Sequence, residues 1–280
     1  MKIVSDTTCD LPASLQQRYD IRAVPINIQF GAETYEEGTG IDRAGFYRKV
    51  EQLRLLPTTS QPSPGRFAQV YRQIAAEGVK TVLSVHVTAK LSGTCQSAEL
   101  AKQMVAGEVE VHVFDSACGS AGLGFMALEG ARLAEAGETA RNILRRWEAI
   151  RPRMKVLFTM ADLRYAQMSG RVGKLKGSLA ALLNVKPIVS LEDGLIDVAG
   201  QVRSRKKAIE RMLTMMKEAV GIREPVNLAV IHAEAPQEGQ GLLDQALQMF
   251  NCQETFMVDL AASLAVHFGP GTLGLVAYRV

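Results

Sequence analysis

Apolar and polar positions alternate along the chain in two periods. Lys2-Ile3-Val4, Val82 to Val87, Val109 to Phe114, Val156 to Thr159, Asn227 to Ile231, Thr255 to Val258 and Leu273 to Tyr278 are short β-branched runs of strand length. Between them lie stretches with helical spacing. Asp42 is placed to cap a helix that presents Phe46, Val50 and Leu53 on one face, and Ser63-Pro64 opens a helix that buries Phe67, Tyr71 and Ile74 and stops at Gly78. Val24 to Phe30 alternates as a further strand, with Pro25 putting it at an edge or a strand start. Pro57 to Pro64 reads as a rigid, hydroxyl-rich loop.

The first half therefore predicts a doubly wound parallel sheet. The second half has another rhythm. Val185 to Leu191 and Leu195 to Ala199 flank Glu192-Asp193-Gly194, an antiparallel hairpin signal, and helices over 203–220 and 236–250 alternate with the later strands. The pattern breaks at Arg151-Pro152-Arg153. The expected fold class is α/β in two domains: residues 1–152 as an α/β domain, and residues 153–280 as an α+β domain with a mixed sheet.

Composition narrows the function classes. A formal charge of +3 over 280 residues, with no basic motif interleaved with aromatics, gives no reason to expect nucleic acid. The chain opens directly on a strand pattern and no apolar run is long enough to cross a bilayer, so a cytoplasmic location is expected. Cys9, Cys95, Cys118 and Cys252 are far apart and form no CxxC pair, which indicates neither a metal site nor a disulfide framework.

The stretch Thr81 to Ala101 concentrates the candidate chemistry. A strand feeds a helix through Lys90-Leu91-Ser92-Gly93-Thr94, which puts hydroxyls and free N–H groups at a helix N-terminus. Two uses are open. Ser92 or Thr94 caps the helix, or the turn receives an anionic ligand group. His86, His112 and His232 fall in or at the ends of strands and read as structural histidines. His267, before Phe268-Gly269-Pro270-Gly271, sits at a strand start on a stiff loop and reads either as an orienting donor or as a solvated turn residue.

Common catalytic templates fail. No GxSxG elbow occurs. Gly173-Lys174 lacks the upstream glycine of a phosphate loop, and Leu175 stands where the magnesium-binding hydroxyl belongs. Gly122-Leu123-Gly124 fits a dinucleotide pattern but is better read as helix packing.

Seven segments occur in an order similar to that of DegV-family proteins. They are Ser5 to Pro12, Thr59 to Pro64, Leu91 to Ala98, Asp115-Ser116, Ser169 to Val172, Arg203 to Ala208 and His267 to Gly271. The resemblance runs almost end to end. It implies a two-domain DegV-like fold, shared with dihydroxyacetone-kinase domains, holding a long-chain fatty acid between its domains. It further implies a lipid-binding carrier without catalytic machinery or cofactor, presenting the acid to a separate fatty acid kinase that makes acyl phosphate for phospholipid synthesis. By the same resemblance Thr59 and Ser92 would bind the carboxylate, with His267 and Arg203 nearby and Gly93 admitting the backbone. Leu91 and Cys95 depart from the usual serine and aromatic residue.

The chemistry of a fatty acid fits that assignment. Burying about fifteen methylenes at about 0.8 kcal/mol each offers roughly 12 kcal/mol before ordering costs, so the tail sets affinity and the head group sets register. Met160, Met168, Met212, Met215 and Met216, with Leu163, Leu179, Leu182, Leu183 and Ile188, are either tunnel lining or ordinary core. Basic segments, with Arg171 and Lys174 foremost, are candidates for docking a kinase or transiently meeting an anionic membrane surface. The alternatives are a stand-alone phosphotransferase or hydrolase using Ser92 and His267, and a lipid-sensing regulatory protein.

Overall fold

The computed structural model describes residues 1–171 and 185–280. Its internal contacts divide the chain into two compact units, Met1–Arg151 with Ala261–Ser263, and Pro152–Leu260 with Leu264–Val280.

The first unit contains β1 (Lys2–Asp6), α1 (Ala13–Arg18), β2 (Arg22–Val24), β3 (Asn27–Phe30), β4 (Glu33–Glu36), α2 (Arg43–Leu53), β5 (Thr58–Ser60), α3 (Pro64–Ala76), β6 (Thr81–His86), α4 (Thr94–Met104), β7 (Glu110–Asp115), α5 (Ser120–Glu135) and α6 (Ala140–Ile150). Strands β2-β1-β6-β7 form a parallel sheet, as the pattern predicts. Parallel strands need both faces covered. On one side α3 and α4 bury Phe67, Tyr71, Ile74, Ala98 and Ala101 against Val4, Val82 and Val111. On the other, α5 packs on β1 and β6 and is backed by α6. Trp147 of α6 is fully buried, stacks over Gly130 and donates its indole N–H to the Met126 carbonyl at 2.7 Å. Gly124 faces the Asp10 carbonyl, where a β-carbon would stand at 2.6 Å, so close packing explains this glycine.

The segment Val24 to Phe30 is not one strand. Pro25 lacks the N–H that would continue the ladder, and the chain splits into β2 and β3, which belong to different sheets. The Thr7 hydroxyl fills the break by accepting from the Ile26 N–H at 3.0 Å. A small antiparallel sheet, β4-β3-β5, results, and it draws Thr58–Ser60 out of the expected loop into a strand.

The second unit carries β8 (Lys155–Thr159), α7 (Arg164–Ser169), β9 (Lys186–Glu192), β10 (Leu195–Val202), α8 (Arg205–Val220), β11 (Val226–His232), α9 (Pro236–Met249), β12 (Cys252–Asp259) and β13 (Leu273–Arg279). Its sheet runs β10-β9-β8-β13-β11-β12 and is antiparallel except for β11 with β12, the mixed sheet the sequence predicts. Asp193 and Gly194 both have positive φ, 48° and 74°, as the tight β9–β10 turn demands. Helices α8 and α9 bury Met212, Met216 and Leu242 with Ile188, Leu228 and Leu275. Met212, Met216 and Ile188 are therefore core residues.

Helix α10 (Ala262–Phe268) begins in the first unit and ends in the second. The expectation of a loop and strand start around His267 is corrected here, because His267 lies in the last turn of this helix.

Candidate functional site

Thr59 lies in β5, paired in register with Ile28 of β3, and is half-buried. Two residues later, Gln61 lays its side-chain amide against Gly93, the residue preceding α4. The contact is made by the residue two after Thr59 and the residue next to Ser92. The hydroxyl of Ser92 lies 2.8 Å from Thr94 Oγ1 and accepts weakly from the Thr94 N–H at 3.3 Å. Both capping and ligand use were open for Ser92. Here it makes a local turn bond, half-buried, beside a helix N-terminus whose own cap residue is glycine.

Cys95 points inward, its thiol 3.5 Å from the Val87 carbonyl, and burial pushes the thiol pKa up. The Cys118 thiol is pushed up to about 12 by burial. Neither is a reactive thiolate.

Beneath the turn runs a buried polar chain. Asp6 accepts from the N–H groups of Thr8 and Val87, both at 3.0 Å, and from the Thr8 hydroxyl at 2.5 Å. His86 Nδ1 lies 3.1 Å from Asp6, His86 Nε2 lies 2.7 Å from Ser84, and Ser84 lies 2.7 Å from Tyr71. Asp6 needs donors, so Nδ1 donates to it, Nε2 accepts from Ser84, and Ser84 accepts from Tyr71. The order is that of a hydrolase triad, yet Ser84, His86 and Asp6 are all 0% exposed. A nucleophile that no substrate reaches is a structural cross-link, and His86 is the structural histidine the sequence suggests.

The remaining acids of Ser5 to Pro12 and the β4–α2 turn form a second buried cluster. Asp10 accepts from the Ser120 hydroxyl and from the Ala261 N–H at 3.0 Å, and burial lifts its carboxyl to about 8. Glu37 accepts from the Thr7 hydroxyl at 2.5 Å and from Ser263 twice, N–H at 2.9 Å and Oγ at 2.7 Å. Burial raises Glu37 as well. Asp10 stands within the Ser5 to Pro12 segment, whereas Glu37 belongs to none of the segments that carry the family resemblance. Nothing in the Glu36-Glu37 pair at the end of a strand signals that the second is buried.

In the second unit His267 is 9% exposed, and its pKa is lowered from 6.5 to about 4, by burial first and then by the nearby Arg171 charge. Phe268 beside it packs edge-on to Phe158, with centroids 4.9 Å apart. The following loop is fixed by close approach. Gly269 and Gly271 both have φ of 76°, and β-carbons there would stand 2.5 Å from the Tyr165 ring and 2.6 Å from Ala161 Cβ. Arg205 donates to the Gly271 carbonyl at 2.7 Å while pairing with Glu238 at 3.0 Å. Arg203, the expected ligand contact, is exposed in the bend before α8. Arg205 is the member of that basic segment that reaches the loop after His267.

Arg171 is exposed and bonds back to the Ser169 carbonyl at 3.1 Å. Lys174, Leu179, Leu182 and Leu183 lie outside the described residues. Of the other basic segments, Arg146 pairs with Glu129 and Arg211 with Glu218, while Arg151 lies over the Phe114 ring. Met168 is 71% exposed. No helix among the described residues is long and apolar enough to cross a membrane, and no cluster of metal-ligating side chains occurs among them.

Comparison with known proteins agrees with this architecture. A solved structure titled as fatty acid binding by a DegV family protein from Thermus thermophilus superposes with a TM-score of 0.93 at 35% identity, covering 100% of this chain and 99% of that one. DegV of Bacillus subtilis, titled a fatty acid binding protein, gives 0.91 at 30% identity over 100% and 99% of the two chains. A stearic acid-binding protein from Eubacterium ventriosum gives 0.92 at 27% identity over 99% and 98%. A DegV domain-containing protein of Halalkalibacterium halodurans is 32% identical over 99% of this chain and 97% of its own length. The family model described as "Uncharacterised protein, DegV family" matches residues 1–280, and the chain belongs to that family.

Proposed function

We propose that this protein is a carrier that binds a long-chain fatty acid, holding the carboxylate with the hydroxyls of Thr59 and Ser92, the backbone at Gly93 and the imidazole of His267. The tail occupies an apolar tunnel. The observation that carries the reading is the packing of Gln61, two residues after Thr59, on Gly93, the neighbour of Ser92. The fatty acid-binding proteins that this chain resembles in structure support the ligand class.

The physical case rests on desolvation. A carboxylate leaving water needs several replacement donors, and hydroxyls with a helix N-terminus supply them without fixing a full cation on the oxygens. An oxygen held so remains nucleophilic. In the proposed use it attacks the terminal phosphoryl of a nucleoside triphosphate bound by a separate kinase in the cytoplasm; the new C(=O)O–P bond gives acyl phosphate for phospholipid synthesis, and the diphosphate leaves. Arg171 and Lys174 are the proposed kinase contacts, and Arg203, exposed, is available to either ligand or partner.

Organic extraction of the purified protein followed by mass spectrometry tests the reading. A stoichiometric long-chain acid is the expected result. A lipid-free preparation with no affinity for added palmitate would sink it, and phosphoryl transfer or hydrolysis without a second protein would favour the enzyme alternatives.

A further inference from the structure

Glu37 is 8% exposed and loses its contact with water. Three donors satisfy it instead, and two of them belong to Ser263. Asp10, 6% exposed, takes the N–H of Ala261 two residues earlier. Two buried acids therefore grip the entry to α10 at Ala261 and Ser263. The acids are themselves held, Glu37 by Thr7 and Asp10 by Ser120.

Ser263 and His267 are four residues apart on this helix, so they share a face, about 6 Å apart along the axis. Beyond His267 the chain is equally fixed. The Gly269 N–H donates to the Ala265 carbonyl at 2.8 Å, and the Thr272 hydroxyl bonds the Phe268 and Gly269 carbonyls. A helix of seven residues has little stability of its own, and its placement comes from what grips its ends.

We propose that Glu37, with Asp10 beside it, is a positioning residue for the head-group histidine: it fixes the first turn of α10 and thereby the place of His267. This rests on the reading of His267 as a carboxylate donor. Burying two acids to hold one short helix buys geometry rather than stability, since apolar residues would fill the same space without the desolvation cost.

A double-mutant cycle tests it. Palmitate affinity is measured for wild type, Ser263→Ala, His267→Ala and the pair, with Glu37→Ala as the stronger version where it folds. Ser263→Ala is expected to weaken binding by about 3- to 10-fold in the wild-type background and to have no further effect once His267 is gone. NMR titration of the ligand-free His267 ring gives a second readout. Its midpoint, expected near 4 in the intact protein because the ring is buried, should move toward 6.5 in Ser263→Ala. Equal losses in both backgrounds, or an unmoved titration, would overturn the positioning role. If His267→Ala binds palmitate as wild type does, the head-group reading fails, and the titration alone then decides whether Glu37 and Ser263 place the ring.

Discussion

The amide of Gln61 occupies the space in front of Gly93: a β-carbon at that position would lie 2.8 Å from Gln61 Nε2. Gly93 has a φ of −78°, which any residue adopts, so its requirement is spatial. Gly93→Ala displaces only the far end of a flexible side chain, and stability in urea should fall by less than about 1 kcal/mol. Fatty acid affinity should fall about tenfold, because the displaced amide crowds the Ser92 turn. Gln61→Ala in the same chain should restore it. Persistence of the loss in the double variant would show that Gly93 acts through its backbone rather than through Gln61.

Thr59 and Ser92 should each contribute a hydrogen bond to a charged oxygen. Thr59→Val and Ser92→Ala are expected to weaken palmitate binding by about 1 to 3 kcal/mol apiece, with thermal stability close to wild type for Thr59→Val on its three-residue strand. Isothermal titration reads both. Unchanged affinity in the two variants would remove these hydroxyls from the head-group site.

Buried ionisable groups set a pH dependence whose sign can be worked out. Burial raises Asp10 from 3.8 to about 8, so between those values the folded chain keeps a proton that the unfolded chain has released. Stability from this group is complete below about 4 and is lost as pH rises through about 8. Glu37, raised for the same reason, adds to the fall. His267 works oppositely. Its pKa drops from 6.5 to about 4, and its contribution is present above 6.5 and lost as pH falls through about 4. The two trends oppose each other on the acid side, and Asp10 is left to act from pH 6.5 to 8. Asp10→Asn mimics the protonated acid, keeps the acceptor for Ala261, and should make the decline over that range shallower in urea titrations. An unchanged decline would mean that Asp10 is already charged in the folded protein over that range.

Much of the fold is legible in the sequence because it rests on local chemistry. Asp42 accepts from the Gly45 N–H at 2.7 Å, Ser63 accepts from Arg66 at 3.2 Å ahead of Pro64, and Asp193-Gly194 makes its turn. Each signal lies within a few residues of what it specifies. The division of β2 from β3 was not legible, because alternation continues through Pro25 and only sheet partners separate the strands. Helix α10 escaped for a related reason. Its entry is fixed by Asp10 and Glu37, more than two hundred residues away. The candidate site divides the same way: Ser92 and Gly93 announce themselves on a strand–turn–helix, whereas Gln61, Glu37 and Arg205 matter only through contacts that no spacing reveals.

The loop after His267 should tolerate no side chain at either glycine. Gly269 and Gly271 combine a φ of 76° with contacts to Tyr165 and Ala161 that a β-carbon would violate. Left-handed backbone alone costs a non-glycine residue about 1–2 kcal/mol, and the overlap adds to it. Gly269→Ala and Gly271→Ala should therefore lower the urea midpoint at unchanged slope. Tyr165→Ala should return part of the loss in Gly269→Ala, since it removes the overlap and leaves the backbone cost. No recovery would assign the whole effect to φ.

Arg171 stands between two roles that can be separated. It is exposed, as a partner contact needs to be, yet it stands close enough to His267 for its charge to depress the imidazole further. A kinase contact and a modulator of the head-group histidine predict different things for Arg171→Ala. Removing the charge should raise the His267 midpoint above about 4 while burial, the larger cause, still holds it below 6.5. If the side chain also docks the kinase, acyl phosphate formation should fall with palmitate affinity intact, and Arg171→Lys should restore the His267 titration without fully restoring turnover, since a lysine keeps the charge but not the planar fork. Turnover that follows the His267 midpoint through both variants would show that Arg171 acts on the ligand site and not on the partner.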